Sequence, residues 1–169
     1  KTIPLAIAGK DVIGKSATGS GKTLAYAAGI IDKIKSGAGV TALILTPTRE
    51  LAEQVSMNLY KFSKNNKLNV VQIYGGLSIE PQIRQIRRAD IIVGTPGRIL
   101  DHLERRTLNL SRVKFLILDE ADRMLDMGFK KAVEKIIRLC PKERQTLLFA
   151  ATISEEISRI AKNYMINPI

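Results

Sequence analysis

The chain has 169 residues, 45% of them hydrophobic and 25% charged, which suits one compact domain and argues against disorder. Its longest apolar runs, Phe115–Leu118 and Leu147–Ala151, are far too short to span a bilayer, and a single cysteine, Cys140, with a single histidine, His102, leaves no internal disulfide and little basis for a Cys/His metal site. A formal net charge of +11 favours a polyanionic partner, nucleic acid before an anionic membrane surface.

Short apolar runs alternate with helical patterns along the chain. Asp11–Gly14, Thr41–Thr46, Asn69–Tyr74, Ile91–Gly94, Phe115–Asp119 and Gln145–Ala150 read as strands. Several are apolar nearly throughout, as parallel strands covered on both faces require. Helical stretches lie between and after them at Lys22–Ile34, Glu50–Ser63, Pro96–Glu104, Phe129–Leu139 and Glu155–Tyr164. In the second of these, Leu51, Val55, Leu59 and Phe62 form a stripe of the kind that docks on a sheet. The alternation predicts an α/β fold with a mostly parallel sheet and helices on both faces. Ligands in such folds sit at the carboxyl ends of the strands. Basic residues cluster at Arg84, Arg87 and Arg88, at Arg105 and Arg106, and at Lys130, Lys131 and Lys135; each cluster alone reads as a solvated helix face. His102 is expected on a helix face and Cys140 packed near a helix end. No secretory leader is recognisable, so a cytoplasmic location is expected, or a nuclear one in a eukaryote.

The strongest motif is Ala17-Thr18-Gly19-Ser20-Gly21-Lys22-Thr23, between a predicted strand and a predicted helix. A phosphate needs several N–H donors aimed at one point. A glycine-rich turn lets the backbone curl round it, and the start of the following helix adds its positive end. Lys22 is then a cation for the outer phosphates and Thr23 a hydroxyl for magnesium. Ser16 stands where the strict pattern has glycine, a tolerable change between small residues. The partner motif is an acid ending an apolar strand, which Asp119 supplies after Phe115–Leu118. Asp119 is the candidate magnesium ligand. Glu120, one residue further on, is the candidate for orienting or deprotonating water. No Asn-Lys-x-Asp guanine signature is present, so ATP is expected rather than GTP.

Asp119-Glu120-Ala121-Asp122 spells the motif for which DEAD-box RNA helicases are named. With Pro47-Thr48-Arg49-Glu50-Leu51, Gly75-Gly76, Thr95-Pro96-Gly97-Arg98 and Met124-Leu125 through Gly128-Phe129 in family order, the chain resembles that family over essentially its whole length. The resemblance implies a RecA-like P-loop NTPase domain over residues 1–169, the first of two, acting as a monomer away from membranes. It implies Mg2+-dependent ATP hydrolysis coupled to RNA unwinding. It also implies that Pro47, Arg49, Gly75, Gly76, Thr95, Gly97 and Arg98 contact the sugar-phosphate backbone of RNA. Such donors read no base edge, so binding is expected to be nearly sequence-independent. Aromatic residues make up only 5% of the chain, which leaves little for a base-stacking platform.

Three departures from the family pattern follow. The family's adenine-reading glutamine segment would lie before Ile3-Pro4, and the chain begins at Lys1. The second domain, which supplies arginines to the γ-phosphate, is not part of the sequence, so this chain alone is not expected to unwind RNA. The family's Ser-Ala-Thr motif reads Ala150-Ala151-Thr152, which makes Asp122, Ala150 and Thr152 candidates for coupling hydrolysis to unwinding. Two other readings stay open: a DNA-directed helicase of the same superfamily, and an ATP-gated RNA clamp with weak hydrolysis.

Overall fold

All six predicted strands form, and all run parallel in one sheet. The computed structural model describes residues 2–15 and 21–169. The strands are β1 (Val12–Lys15), β2 (Ala42–Leu45), β3 (Val70–Ile73), β4 (Ile91–Gly94), β5 (Phe115–Leu118) and β6 (Gln145–Ala150), in the order β1-β6-β5-β2-β4-β3. The four inner strands are buried at every residue, which is why their sequences are apolar nearly throughout. The edge strand β3 buries only Ile73 fully.

Among the described residues eight helices cover the sheet: α1 (Thr2–Ile7), α2 (Lys22–Ile30, continued by a 3-10 turn at Ile31–Lys33), α3 (Arg49–Phe62), α4 (Ile79–Ile86), α5 (Pro96–Glu104), α6 (Ala121–Asp126), α7 (Lys130–Leu139) and α8 (Glu155–Tyr164). Successive strand residues point to opposite faces, so the core divides in two. On one face Ile44, Val93, Ile117 and Phe149 pack with residues of α1, α2 and α3, including Ala6, Tyr26 and Leu59. On the other, Leu43, Ile92, Leu116 and Leu148 pack with residues of α4 to α8, including Ile99, Ile136 and Ile160. No helix among the described residues is long and apolar enough to cross a membrane.

The docking stripe of α3 differs from the expected one. Val55 and Leu59 are buried as predicted, but their companions are Ala52 and Ser56, while Leu51 is only partly buried and Phe62 is 43% exposed. Small residues at 52 and 56 let the helix lie close to the sheet. Leu51 and Phe62 line a cavity between α3 and the start of α2.

At the amino ends of the strands, buried acids hold the loops. Asp11 accepts the Thr146 amide at 2.7 Å and the Ile166 amide at 2.6 Å. Asp90 accepts those of Gly37 at 2.7 Å and Asn69 at 2.9 Å. Both oxygens of each carboxylate are thereby satisfied.

Candidate nucleotide site and RNA-facing loops

The carboxyl ends of β1 and β5 bring Lys22, Asp119 and Glu120 together. Gly21 has φ +82° and caps the start of α2; that left-handed conformation suits a residue without a Cβ. Helix α2 then carries Lys22 and Thr23 in its first turn. Ala17, Thr18, Gly19 and Ser20, the rest of the predicted phosphate loop, lie outside the described residues.

Lys22 Nζ stands 3.3 Å from Asp119 Oδ1 and 3.7 Å from Glu120 Oε1, with all three side chains largely buried. Glu120 also meets Arg123 Nη1 at 3.4 Å. The backbone of Glu120 is left-handed, φ 54° and ψ 51°, a conformation that costs a non-glycine residue roughly 1–2 kcal/mol. It turns the chain sharply from β5 into α6 and keeps Glu120 beside Asp119 and Lys22.

Asp119 is unlike the other buried acids. Its Oδ2 accepts only a long bond of 3.3 Å from the Tyr26 hydroxyl. Its Oδ1 faces the Lys22 ammonium at 3.3 Å and has no better-aligned donor among the described residues. Burial pushes the Asp119 carboxyl above the usual carboxylate range, against the pull of Lys22 and with a smaller push from Glu120. A buried oxygen without a well-aligned donor costs stability. Thr23 Oγ1 lies 3.4 Å from the Tyr26 hydroxyl that also reaches Asp119. A carboxylate and a hydroxyl so linked are hard oxygen donors of the kind Mg2+ takes, one or two from protein and the rest from water and phosphate. The described residues contain no cluster of three or more His, Cys, Asp or Glu that could hold a metal. A cavity of about 290 Å³ opens here, lined by Lys22, Thr23, Asp119 and Glu120 and walled by Leu51 and Phe62 of α3.

Next to this cluster, the loop after β5 meets the loop after β6. Asp122 Oδ2 accepts the backbone amide of Thr152 at 2.9 Å. Ala150 is fully buried at the end of β6, which pairs with β5.

The remaining candidates occupy the other half of the same rim, after β2, β3 and β4. Arg49 opens α3, behind Thr48, whose hydroxyl caps the helix by accepting the Leu51 amide at 3.3 Å. Pro47 is buried, so what it can offer a ligand is the placement of its neighbours. Gly75 and Gly76 are exposed, and Gly76 has φ +85°. Thr95 caps α5, Pro96 is its first residue and Gly97 is exposed. Arg98 Nη1 donates to the Leu77 carbonyl at 3.0 Å, tying the loop after β4 to the loop after β3.

Several participants carry no sequence motif. Tyr26 is fully buried and bonds Asp119. Glu53 binds Arg49 Nε at 3.0 Å, the Tyr74 hydroxyl binds Glu53 at 2.7 Å, and the Arg49 guanidinium lies 5.0 Å from the Tyr74 ring centre. The only available signals were the i, i+4 spacing of Arg49 and Glu53 and an aromatic at a strand end. His102 sits on α5 as expected but wholly inside the core, bonded to Thr107 at 2.8 Å and Gln82 at 3.2 Å; burial holds its pKa below the ordinary value. Cys140 caps the end of α7, where burial pushes its thiol up to about 11, so it is unreactive.

The family model for DEAD/DEAH box helicases matches residues 1–160. The chain belongs to the DEAD/DEAH box helicase family. It is 52% identical over 170 residues to a protein of Listeria monocytogenes named ATP-dependent RNA helicase CshA, covering 99% of this chain and 33% of that one. Among solved structures, a DEAD box protein from the hyperthermophile Methanococcus jannaschii superposes with a TM-score of 0.97 at 48% identity, over 99% of this chain and 47% of that one. A chain described as a hypothetical ATP-dependent RNA helicase from Sulfolobus tokodaii gives 0.92 at 40% identity, over 100% and 50%. The chain thus spans a third to a half of the length of these DEAD-box relatives, and its fold is theirs.

Proposed function

We propose that the chain is the ATP-binding domain of an RNA helicase, the first of two RecA-like domains, and that it hydrolyses ATP with Mg2+ while gripping RNA by its backbone. The observation that carries this reading is the convergence of Lys22, Asp119 and Glu120 within 4 Å at the carboxyl rim, where Lys22 is the cation facing the buried Asp119 carboxylate. Lys22 leaves the acids to meet the outer phosphates. Thr23 and Asp119 would hold Mg2+, which supplies charge neutralisation on the phosphates. Glu120, steadied by Arg123, orients the attacking water and accepts its proton. Ala17 to Thr23 wrap the phosphates with backbone amides. Pro47, Arg49, Gly75, Gly76, Thr95, Gly97 and Arg98 form the RNA face. Asp122, Ala150 and Thr152 link the two. The protein works as a monomer in the cytoplasm, its second domain completing both sites.

Glu120→Gln in the full-length protein tests the central assignment. It removes the base while keeping the side chain's shape. ATP hydrolysis is expected to fall by about 10²–10⁴-fold, with ATP affinity within a few-fold of the parent. Turnover close to that of the parent would remove Glu120 from this role.

A further inference from the structure

A second cavity lies at the opposite end of the sheet from the nucleotide site. Its volume is about 510 Å³, and Lys33, Lys35, Arg112 and Lys114 line it with a single acid, Glu143. Three loops that enter β2, β5 and β6 form it. They are held together where the Lys114 amide donates to the Thr41 carbonyl at 2.8 Å and the Gln145 amide to the Lys114 carbonyl at 2.8 Å. Lys114 and Asp119 flank β5, so the pocket stands about 16 Å from the front site at 3.3 Å per residue.

None of the four cations forms an ion pair with a carboxylate among the described residues, although eight such contacts occur elsewhere on the molecule. Two of them are already fixed in place. Arg112 Nη1 donates to the Ala38 carbonyl at 3.0 Å, and Lys33 Nζ to the Ala6 and Ile7 carbonyls at 3.2 and 2.8 Å. The Gly37 and Gly39 turns, φ +78° and +84°, shape the wall. Asp90, the nearest buried acid to that wall, has both oxygens bonded to backbone amides. Lys35 and Lys114 are exposed and form no side-chain bond among the described residues. No aromatic side chain lines the cavity, so it offers nothing for a base to stack on. A pocket of this size lined by four cations and one acid suits a ligand carrying two or three phosphates.

We propose that this rear pocket is a second anion site, separate from the nucleotide site, which binds a run of phosphates through Lys35, Lys114, Arg112 and Lys33. The phosphates come either from free polyphosphate or from the backbone of an RNA strand.

The probe is tripolyphosphate, titrated into the chain carrying Lys22→Ala so that the front site is disabled. Binding is expected, with amide shifts at Ala38 and Val113 by NMR. Adding Lys35→Ala and Lys114→Ala should weaken it by about tenfold or more, as loss of two charge-assisted contacts implies, with the melting temperature unchanged because both side chains are exposed. The source is read from oligouridylate binding to the chain with only the two rear substitutions. A salt slope shallower by about 1.4, for two lost phosphate contacts on a single strand, assigns the pocket to RNA, and an unchanged slope assigns it to free polyphosphate. Absence of tripolyphosphate binding, shifts confined to the front site, or binding indifferent to the double substitution would overturn the proposal.

Discussion

Asp119 carries a stability cost that its proposed role explains. Burial raises its pKa above the ordinary 3.8. Between 3.8 and that raised value the native state holds more protons than the unfolded state, so stability falls as pH rises through this window and stays depressed at neutral pH. Asp119→Asn removes the charge at nearly constant shape. The variant should therefore melt at a higher temperature than the parent at pH 7, the gap should close as pH falls below 3.8, and ATP hydrolysis should be lost. Melting curves across this range check the sign, and a variant less stable at pH 7 would show that Lys22 outweighs the burial. Ala150 poses a different question at this scale. Asp122 already has the Thr152 amide, so the loops after β5 and β6 touch without the serine that the family resemblance places at position 150. Ala150→Ser adds a donor beside that contact. In the full-length protein it should raise the duplex unwound per ATP hydrolysed, measured by parallel unwinding and phosphate-release assays. An unchanged ratio would mean that the Thr152 amide suffices for the link.

The helix caps connect local sequence to the rim. Thr48 caps α3 through its hydroxyl, and Arg49 follows as the first helical residue. Thr48→Ala should destabilise the domain by about 1 kcal/mol and weaken RNA binding more than ATP binding, because Arg49 loses its fixed starting point. Denaturant melts and paired titrations measure both; equal loss of the two affinities would make Thr48 a general support only. At the same scale it is clear what could be read in advance. The four central strands were legible because central parallel strands must be apolar on both faces, and the edge strands β1 and β3 because short apolar runs alternate with helical patterns. Helices α3, α5, α7 and α8 were legible from period and caps. Helices α1, α4 and α6 were not. The first and last have six residues each, too short for a period to register, and α4 hides behind Pro81, which a helix tolerates in its first turn. The motif residues of the site were legible because phosphate chemistry needs those residue types at that spacing. Their supports Tyr26, Glu53 and Tyr74 were not, since a tyrosine in an apolar helix reads as core until its hydroxyl is seen 3.3 Å from Asp119.

Across the whole molecule, the strand order β1-β6-β5-β2-β4-β3 sorts the candidate residues. Those for ATP follow β1 and β5, those for coupling follow β5 and β6, and those for RNA follow β2, β4 and β3. The β5–β2 junction is the seam between the two halves of the rim. The buried acids divide by end: Asp11 and Asp90 accept backbone amides at the amino rim, whereas Asp119 at the carboxyl rim meets the side chains of Lys22 and Tyr26. The measurement that tests this arrangement most directly is an ATP titration of the chain with and without Lys22→Ala. Lys22 is the cation that meets both Asp119 and Glu120, so its removal should abolish measurable ATP binding while the melting curve still shows a folded domain. Undiminished ATP affinity in a folded Lys22→Ala protein would contradict the assignment of the site.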